Sequence, residues 1–322
     1  MFDGMRARRG FTLVELLVVI AIIAILVALG AWGTMAMIGR QQTRNTEATI
    51  KTLNKLLQDR WKAVITDARK ETPSAAAKAL ANGPAGNLDS SGQRAQVIMI
   101  KARLMEAFPM RYNEATPAGV VNTFLPQHKS YFAKYLTSLG PNTGGGAGES
   151  SACLLAALNA VQAEGGVGIE DQIKFAVSSG DGVNPNISVL TDAWGNPLSF
   201  FRFPTNNADL QAANPATAGS RSARFADPVD TEGSLLNSTW YNSPAVFSGP
   251  TFPAAWQKQT PRQVFESSFH VIARPGVSPM AAFFTVPVIV SAGPDGKLGV
   301  NPDLSPVAGS ADNIFSFKLL LD

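Results

Sequence analysis

One carboxylate, Glu15, stands at the start of a long apolar stretch. The 24 residues from 16 to 39 carry no ionisable side chain, and Arg6, Arg8 and Arg9 precede them. At 1.5 Å per residue, a helix of this length would cross a hydrocarbon core of roughly 30 Å. A carboxylate at the edge of such a helix costs on the order of 2–3 kcal/mol if it is drawn to the centre, so it indicates a functional residue. Considered alone, Glu15 could still be an interfacial residue.

Two ordinary targeting segments explain this N-terminus less well. A secretory signal peptide has an apolar core of about 7–15 residues and then a small-residue cleavage site. The apolar run here is longer, and no such site occurs before Arg40. A signal anchor explains the length and the basic flank, which favours a cytoplasmic N-terminus, but it does not explain Glu15.

A second group of polar residues lies in the glycine-rich segment 291–313. It contains Asp295, Asp303, Asp312 and Asn313. The spacing of an EF-hand is absent, but calcium accepts carboxylate and carbonyl oxygens in irregular geometry. Considered alone, the segment is either a turn or a cation-binding loop.

No arrangement for catalysis is visible, so we expect that the chain is not an enzyme. The patterns G-x-S-x-G and H-E-x-x-H are absent, and His128 and His270 have no ligand-like companions. Cys153 is the single cysteine, which excludes an intramolecular disulfide, and its apolar neighbours predict a buried helical residue. The glycine-rich segment 140–148 lacks phosphate-loop spacing and is predicted to be a linker.

Net charge excludes one further class of partner. The formal charge is +3, and removal of residues 1–10, which hold three arginines and one aspartate, leaves +1. No basic stripe with interleaved aromatic residues appears. We therefore expect no nucleic-acid partner.

The spacing of apolar residues beyond Arg40 predicts that the first helix continues to about residue 72. Apolar side chains recur there at steps of three and four, and Pro73 ends the pattern. These positions are Ile50, Leu53, Leu57, Trp61, Val64 and Ala68. Such a helix packs one face on a globular part.

The rest of the chain predicts helices followed by strands. Segments 94–108 and 151–163 are predicted helices within an α-rich block, 73–190, to which we assign no function. Turn residues between apolar runs at 189–203 predict a hairpin, and 206–261 a long surface excursion. Apolar segments 283–291 and 314–320 are predicted strands.

Gly10, Phe11 and Glu15, followed at once by the apolar segment, resemble the class III signal of type IV prepilins and type II secretion pseudopilins. The D-x-W-G-N-P motif at 192–197 and the S-x-G-x-D-G motif at 291–296 also resemble the head of the major pseudopilin. The resemblance implies an α+β fold. A long N-terminal helix, half in the membrane and half amphipathic, would pack on a small antiparallel β-sheet head that carries an α-rich insertion.

The same resemblance implies roles for individual residues. Prepilin peptidase would cleave between Gly10 and Phe11 on the cytoplasmic side, and the Phe11 amine would be methylated. Glu15 would pair with that amine in a neighbouring subunit during assembly. The physics agrees, because a carboxylate in a low-dielectric helix bundle needs a cationic partner.

A calcium site is also implied, with Asp295 and Asp312 as carboxylate ligands. The loop is several residues longer here than in the family, so Asp303 or Asn313 could take the place of Asp312.

The expected domain division is a leader at 1–10, a transmembrane and assembly helix at 11–39, an amphipathic helix at 40–72, an insertion at 73–190 and a head at 191–322. The expected function is that of a structural subunit of a periplasmic pseudopilus in type II protein secretion. The expected location is the bacterial inner membrane, with a single pass, a cytoplasmic N-terminus and a periplasmic head, and then the filament.

The implied partners are further copies or other pseudopilins, the prepilin peptidase, the inner-membrane assembly platform and its ATPase. The alternative is a type IV pilus subunit, or a minor pilin whose head binds a ligand or a surface.

Overall fold

The structure is a computed structural model that describes most of the chain. The described residues are 13–114, 123–125, 127, 144–160, 176–204, 207, 210, 229–269, 286–301, 304, 307 and 311–320, with the backbone alone for residues 29–36, 236 and 320. The chain divides into two units, Met1–Asn45 and Thr46–Asp322.

The described part is an α+β protein, as the sequence predicts. Its helices are α1 (Leu13–Ala68), α2 (Ala75–Asn82), α3 (Gln93–Ala107), α4 (Glu149–Asn159), α5 (Ser238–Tyr241) and α6 (Pro261–Phe269). Its strands are β1 (Val177–Ser179), β2 (Ser188–Leu190), β3 (Ser199–Phe201), β4 (Val288–Ser291) and β5 (Ile314–Phe315). Single 3-10 turns occur at Tyr112–Glu114, Ser234–Leu236, Ala254–Trp256 and Lys318–Leu320.

The first unit contains the N-terminal part of α1, whose large apolar side chains are exposed from Leu13 to Val27. Among the described residues, no helix combines the length and the apolarity needed to span a bilayer. The predicted membrane segment, 11–39, includes residues 11 and 12 and the side chains of 29–36, which lie outside the described set.

The second unit is built on the amphipathic part of α1. All six apolar positions predicted to form its inner face are buried, from Ile50 to Ala68. The helix ends at Ala68, and not at 72, because the chain turns there: the backbone N–H of Glu71 donates to the Ala68 carbonyl at 3.1 Å. Pro73 disfavours helical geometry in the residue before it, which agrees with an early end.

Helix α3 confirms the predicted helix at 94–108, but it is buried on nearly every side. Charged residues inside it are therefore paired. The Arg103 guanidinium lies 2.7 Å from Glu106 and 2.8 Å from Glu71 at the end of α1. Arg94 donates to the Ser234 carbonyl at 2.9 Å.

The strands form two antiparallel sheets. Strands β1 and β2 pair with Val177 opposite Leu190, and the second sheet has the order β3-β4-β5, with Phe200 opposite Ile289. The predicted hairpin at 189–203 is confirmed only as a tight chain reversal: the Leu198 N–H donates to the Leu190 carbonyl at 2.8 Å and the Asp192 N–H to the Asn196 carbonyl at 2.9 Å. Beyond this turn β2 and β3 belong to different sheets. A single bridge joins Thr191 to Pro197, and proline has no N–H to continue a ladder.

Two other strand predictions need shortening. In the described residues, the strand expected at 283–291 covers only β4. The strand expected at 314–320 is β5 followed by the 3-10 turn Lys318–Leu320.

The segment 206–261 is not a surface excursion where the structure describes it. Leu235, Trp240, Phe247 and Trp256 are buried, and the Trp240 indole N–H donates to the Leu80 carbonyl at 2.9 Å. Polar residues separate these buried side chains, so the sequence shows no regular apolar pattern there.

The described part of the predicted linker, 144–148, is a loop without helix or strand, but its glycines pack closely on another segment. A Cβ at Gly146 would lie 2.5 Å from the Asp181 carbonyl oxygen, and one at Gly148 would lie 3.0 Å from the Asp181 Cα. These glycines are required because the two segments pack backbone to backbone.

Asp181 is fully buried and is satisfied by its neighbours. Its carboxylate accepts hydrogen bonds from the Asn184 backbone and side chain, the Val183 N–H and the Tyr112 hydroxyl, the last at 2.5 Å. Burial opposes the charged form, but these bonds lower the pKa of Asp181 to about 2.

Cys153 is confirmed as a buried helical residue, in α4. Burial raises the pKa of its thiol far above the ordinary value, so the nucleophilic thiolate is not populated at neutral pH. His128 and His270 lie outside the described residues.

Trp61 provides a test of the α1 packing. Its ring lies 5.0 Å from Phe108 and 6.1 Å from Phe203, and the residue is 1% exposed. We expect Trp61→Ala to lower the free energy of unfolding by about 3–5 kcal/mol, measured by urea denaturation of the full chain in detergent. Lys62→Ala, at the exposed next position, should change it by less than about 0.5 kcal/mol. Equal losses would contradict this packing.

Candidate functional site

Two places contain the residues for which the sequence predicts a role: the beginning of α1 and the loop between β4 and β5. Gly10 and Phe11 lie outside the described residues. Glu15 lies in the first turn of α1 and is exposed. A negative charge is favoured there because the backbone N–H groups at a helix N-terminus are partly positive.

The loop between β4 and β5 contains Asp295 and Asp312 among the described residues, whereas Asp303 lies outside them. The Asp295 carboxylate is exposed and accepts the Lys297 backbone N–H at 2.8 Å. Such a bond from an aspartate to its own backbone two residues on shapes a turn. Asp295 is therefore held in a defined turn in which its second oxygen can serve as a ligand.

Gly293 brings the two ends of this loop together. Its φ of +72° favours glycine, and a Cβ there would lie 2.6 Å from the Asp312 carbonyl oxygen and 3.0 Å from Asp312 Oδ2. The Asp312 carboxylate thus lies directly beside the residue that begins the Asp295 turn.

Asn313 is buried next to Asp312. Its Nδ2 donates to the Leu298 carbonyl, while its Oδ1 has no hydrogen-bond partner in the described part of the structure. An unsatisfied buried acceptor costs about 1–3 kcal/mol. A bound cation would remove this cost.

These residues fit calcium by the chemistry of their donors. Within the described ranges, no three His, Cys, Asp or Glu side chains form a group able to hold a metal. A cation here would therefore rely on carboxylate, amide and main-chain oxygens together. Calcium accepts that mixture, whereas zinc prefers Cys and His.

The D-x-W-G-N-P turn packs against the same loop. Asp192 accepts the backbone N–H groups of Trp194 and Asn196 through Oδ1, at 3.0 and 2.9 Å, and the Ser291 hydroxyl through Oδ2, at 2.7 Å. Asn196 Nδ2 donates to the Gly293 carbonyl at 3.0 Å.

This turn also contacts α1, because the Ala193 N–H donates to Thr46 Oγ1 at 3.1 Å. The sequence shows both motifs, 192–197 and 291–296, but it does not show that they bond to each other. Sequence reasoning missed that the side chains of Asn196 and Ser291 join the two motifs.

Comparison with known proteins identifies the N-terminal segment. Residues 5–31 match the family model for the prokaryotic N-terminal methylation motif. No curated protein and no solved structure matches the chain. The matched segment contains Gly10, Phe11 and Glu15. This motif indicates a type IV pilin-like substrate of prepilin peptidase.

Proposed function

We propose that the chain is a pseudopilin, a structural subunit of the periplasmic filament of type II protein secretion. The observation that supports this most directly is the methylation motif, which contains Gly10, Phe11 and Glu15 in one matched segment. Cleavage after Gly10 frees the Phe11 amine, which is then methylated. The processed chain polymerises through α1 with further copies or with other pseudopilins.

Exposed apolar side chains support assembly through α1. Between Leu13 and Val27 every large apolar side chain is about half exposed or more, which soluble monomers rarely show over a contiguous surface. In our proposal the lipid of the inner membrane covers this surface first, with the N-terminus cytoplasmic and the head periplasmic. The helices of neighbouring subunits cover it after extraction by the assembly platform and its ATPase.

In this assembly, the pairing of Glu15 with a neighbouring subunit sets how the α1 helices are aligned along one another. Burying a carboxylate among apolar helices is costly, and a cation that pairs with it offsets the desolvation. The Phe11 amine of the next subunit is a cation that exists only after cleavage. Processing and polymerisation are thereby linked.

Replacing Glu15 tests this pairing. We expect Glu15→Ala to be cleaved and methylated as in the wild type, as shown by the mass of the N-terminal peptide. Filament yield should fall at least about tenfold, because removal of one member of a buried charge pair costs about 3–5 kcal/mol. Glu47→Ala, the same change later in α1, is the matched control and should assemble. Normal filaments from Glu15→Ala would refute the pairing.

The alternative is a type IV pilus subunit or a minor pilin with a binding head. The size of the second unit favours it, because α2, α3 and α4 from the segment 73–190 contribute much of the core. A head with this much added structure offers more surface than a minimal filament subunit needs.

A deletion strain of the native host distinguishes the two systems. A pseudopilin predicts that exported proteins stay in the periplasm while surface filaments persist, measured by assaying the medium and by electron microscopy. The wild-type chain should restore export, and Glu15→Ala should not. Normal export with loss of surface filaments or adhesion would assign the chain to a pilus.

We also propose that calcium stabilises the loop between β4 and β5. Asp295 and Asp312 would supply carboxylate oxygens, with Asn313 Oδ1 or Asp303 as a further ligand. The support is the buried Asn313 Oδ1 next to Asp312, which has no hydrogen-bond partner among the described residues. The ion would hold the two ends of the loop together in a head without disulfides.

Chelation tests the ion. At a calcium concentration about 100 times Kd, binding stabilises the folded state by about 2.7 kcal/mol. Chelator should therefore lower the Tm of the full chain in detergent by roughly 5 °C. Asp312→Ala should abolish this difference, and Asp59→Ala, an exposed aspartate on α1, should keep it. An unchanged wild-type Tm would rule the ion out.

A further inference from the structure

Asn196 lies between both ends of the turn that presents Asp295. Its Nδ2 donates to the Gly293 carbonyl at 3.0 Å, and a Cβ at Gly296 would lie 3.1 Å from its Oδ1. The Gly296 N–H also donates to the Gly293 carbonyl, at 3.3 Å, which closes the turn. One half-buried amide side chain therefore supports the whole turn from 293 to 296.

Both polar backbone groups of Gly293 form hydrogen bonds. Its carbonyl accepts from Asn196, and its N–H donates to Ser291 Oγ at 3.1 Å. Its α-carbon has no room for a side chain because Asp312 lies against it. The position of Asp295 relative to Asp312 is thus set at this glycine.

Asp192 accepts hydrogen bonds from both residues that are hydrogen-bonded to Gly293, namely Asn196 and Ser291. Its Oδ2 accepts the Ser291 hydroxyl, and its Oδ1 accepts the Asn196 N–H. Asp192 and Ser291 are both buried, so water does not compete for these bonds.

We propose that Asn196 is the positioning residue of the loop between β4 and β5, and that its bond to the Gly293 carbonyl sets the affinity of this loop for a divalent cation. The proposal rests on the calcium binding proposed above. Asn196 does not ligate the ion. It fixes the turn from which Asp295 reaches the ion, as outer hydrogen-bond partners fix ligands in other metal sites.

The test compares two asparagine variants of the full chain in detergent. Asn196→Ala should weaken calcium binding about 10–100-fold, measured by titration calorimetry, because outer partners of metal ligands have effects of that size. Asn82→Ala is the matched control. Asn82 is also half-buried, donates to the Lys78 carbonyl at 3.0 Å and accepts the Asp89 N–H at 3.2 Å. It should lower the urea midpoint while calcium affinity stays unchanged.

A second measurement covers the case in which Asn196→Ala does not fold. Asn196→Asp keeps the size of the side chain but replaces the donor N–H by an acceptor oxygen. Without calcium, the amides of Gly296 and Lys297 should then exchange hydrogen faster than in the wild type. Exchange at wild-type rates would overturn the positioning role.

The remaining outcomes separate the two proposals. If the wild type binds calcium and Asn196→Ala binds it equally well, Asn196 has no positioning role and the calcium site stands. An equal loss of affinity in Asn82→Ala would mean a general effect of destabilisation, which also overturns the role of Asn196. If the wild type does not bind calcium, both proposals fail.

Discussion

The head depends on one packing constraint, the need to cover the apolar face of α1 between Ile50 and Ala68. Trp61 lies at the centre of this face, and its ring meets Phe108 after α3 and Phe203 after β3. The indole N–H has no hydrogen-bond partner in the described structure, so ring packing alone fixes the residue. Covering α1 in turn encloses α3, and Arg103 is paired there with Glu106 on α3 and with Glu71, which follows the end of α1. Such buried pairs rarely add net stability, because desolvation offsets the attraction.

The turn at 192–197 connects this packed helix to the loop between β4 and β5. Thr46 precedes the apolar face of α1 and accepts a hydrogen bond from the turn, and Asp192 accepts one from Ser291 at the end of β4. Three segments far apart in sequence therefore meet in one bonded group. The turn does this because its backbone N–H groups point inward to Asp192, which leaves the Asn196 side chain available to the loop.

Local patterns predicted the inner face of α1, helix α3 and the burial of Cys153, because helical periodicity depends only on neighbouring residues. The α+β fold class was predicted from the resemblance to pseudopilins. Pairings between distant segments were not predictable in this way. The turn at 192–197 reads as a hairpin because apolar runs flank it, yet β2 finds its partner in β1 and β3 in β4. Gly146 and Gly148 were predicted to lie in a linker because of the glycine content around them. Glycine content does not show that Asp181 packs directly against the backbone there. In the candidate site, the motif identified Asp295. The hydrogen bond from Asn196 that supports its turn joins residues 97 positions apart, and local patterns do not predict such a contact.

The loop between β4 and β5 differs from an ordinary connection in how its polar groups are satisfied. Ser291, Gly293 and Asn196 use their hydrogen-bonding groups on one another or on Asp192, so the framework is complete without an ion. Among the residues that the structure describes, Asn313 Oδ1 is buried and has no hydrogen-bond partner at the edge of that framework. An acceptor oxygen and an aspartate therefore lie side by side next to a turn that is already fixed. A divalent cation could bind to them with little loss of conformational entropy in the protein.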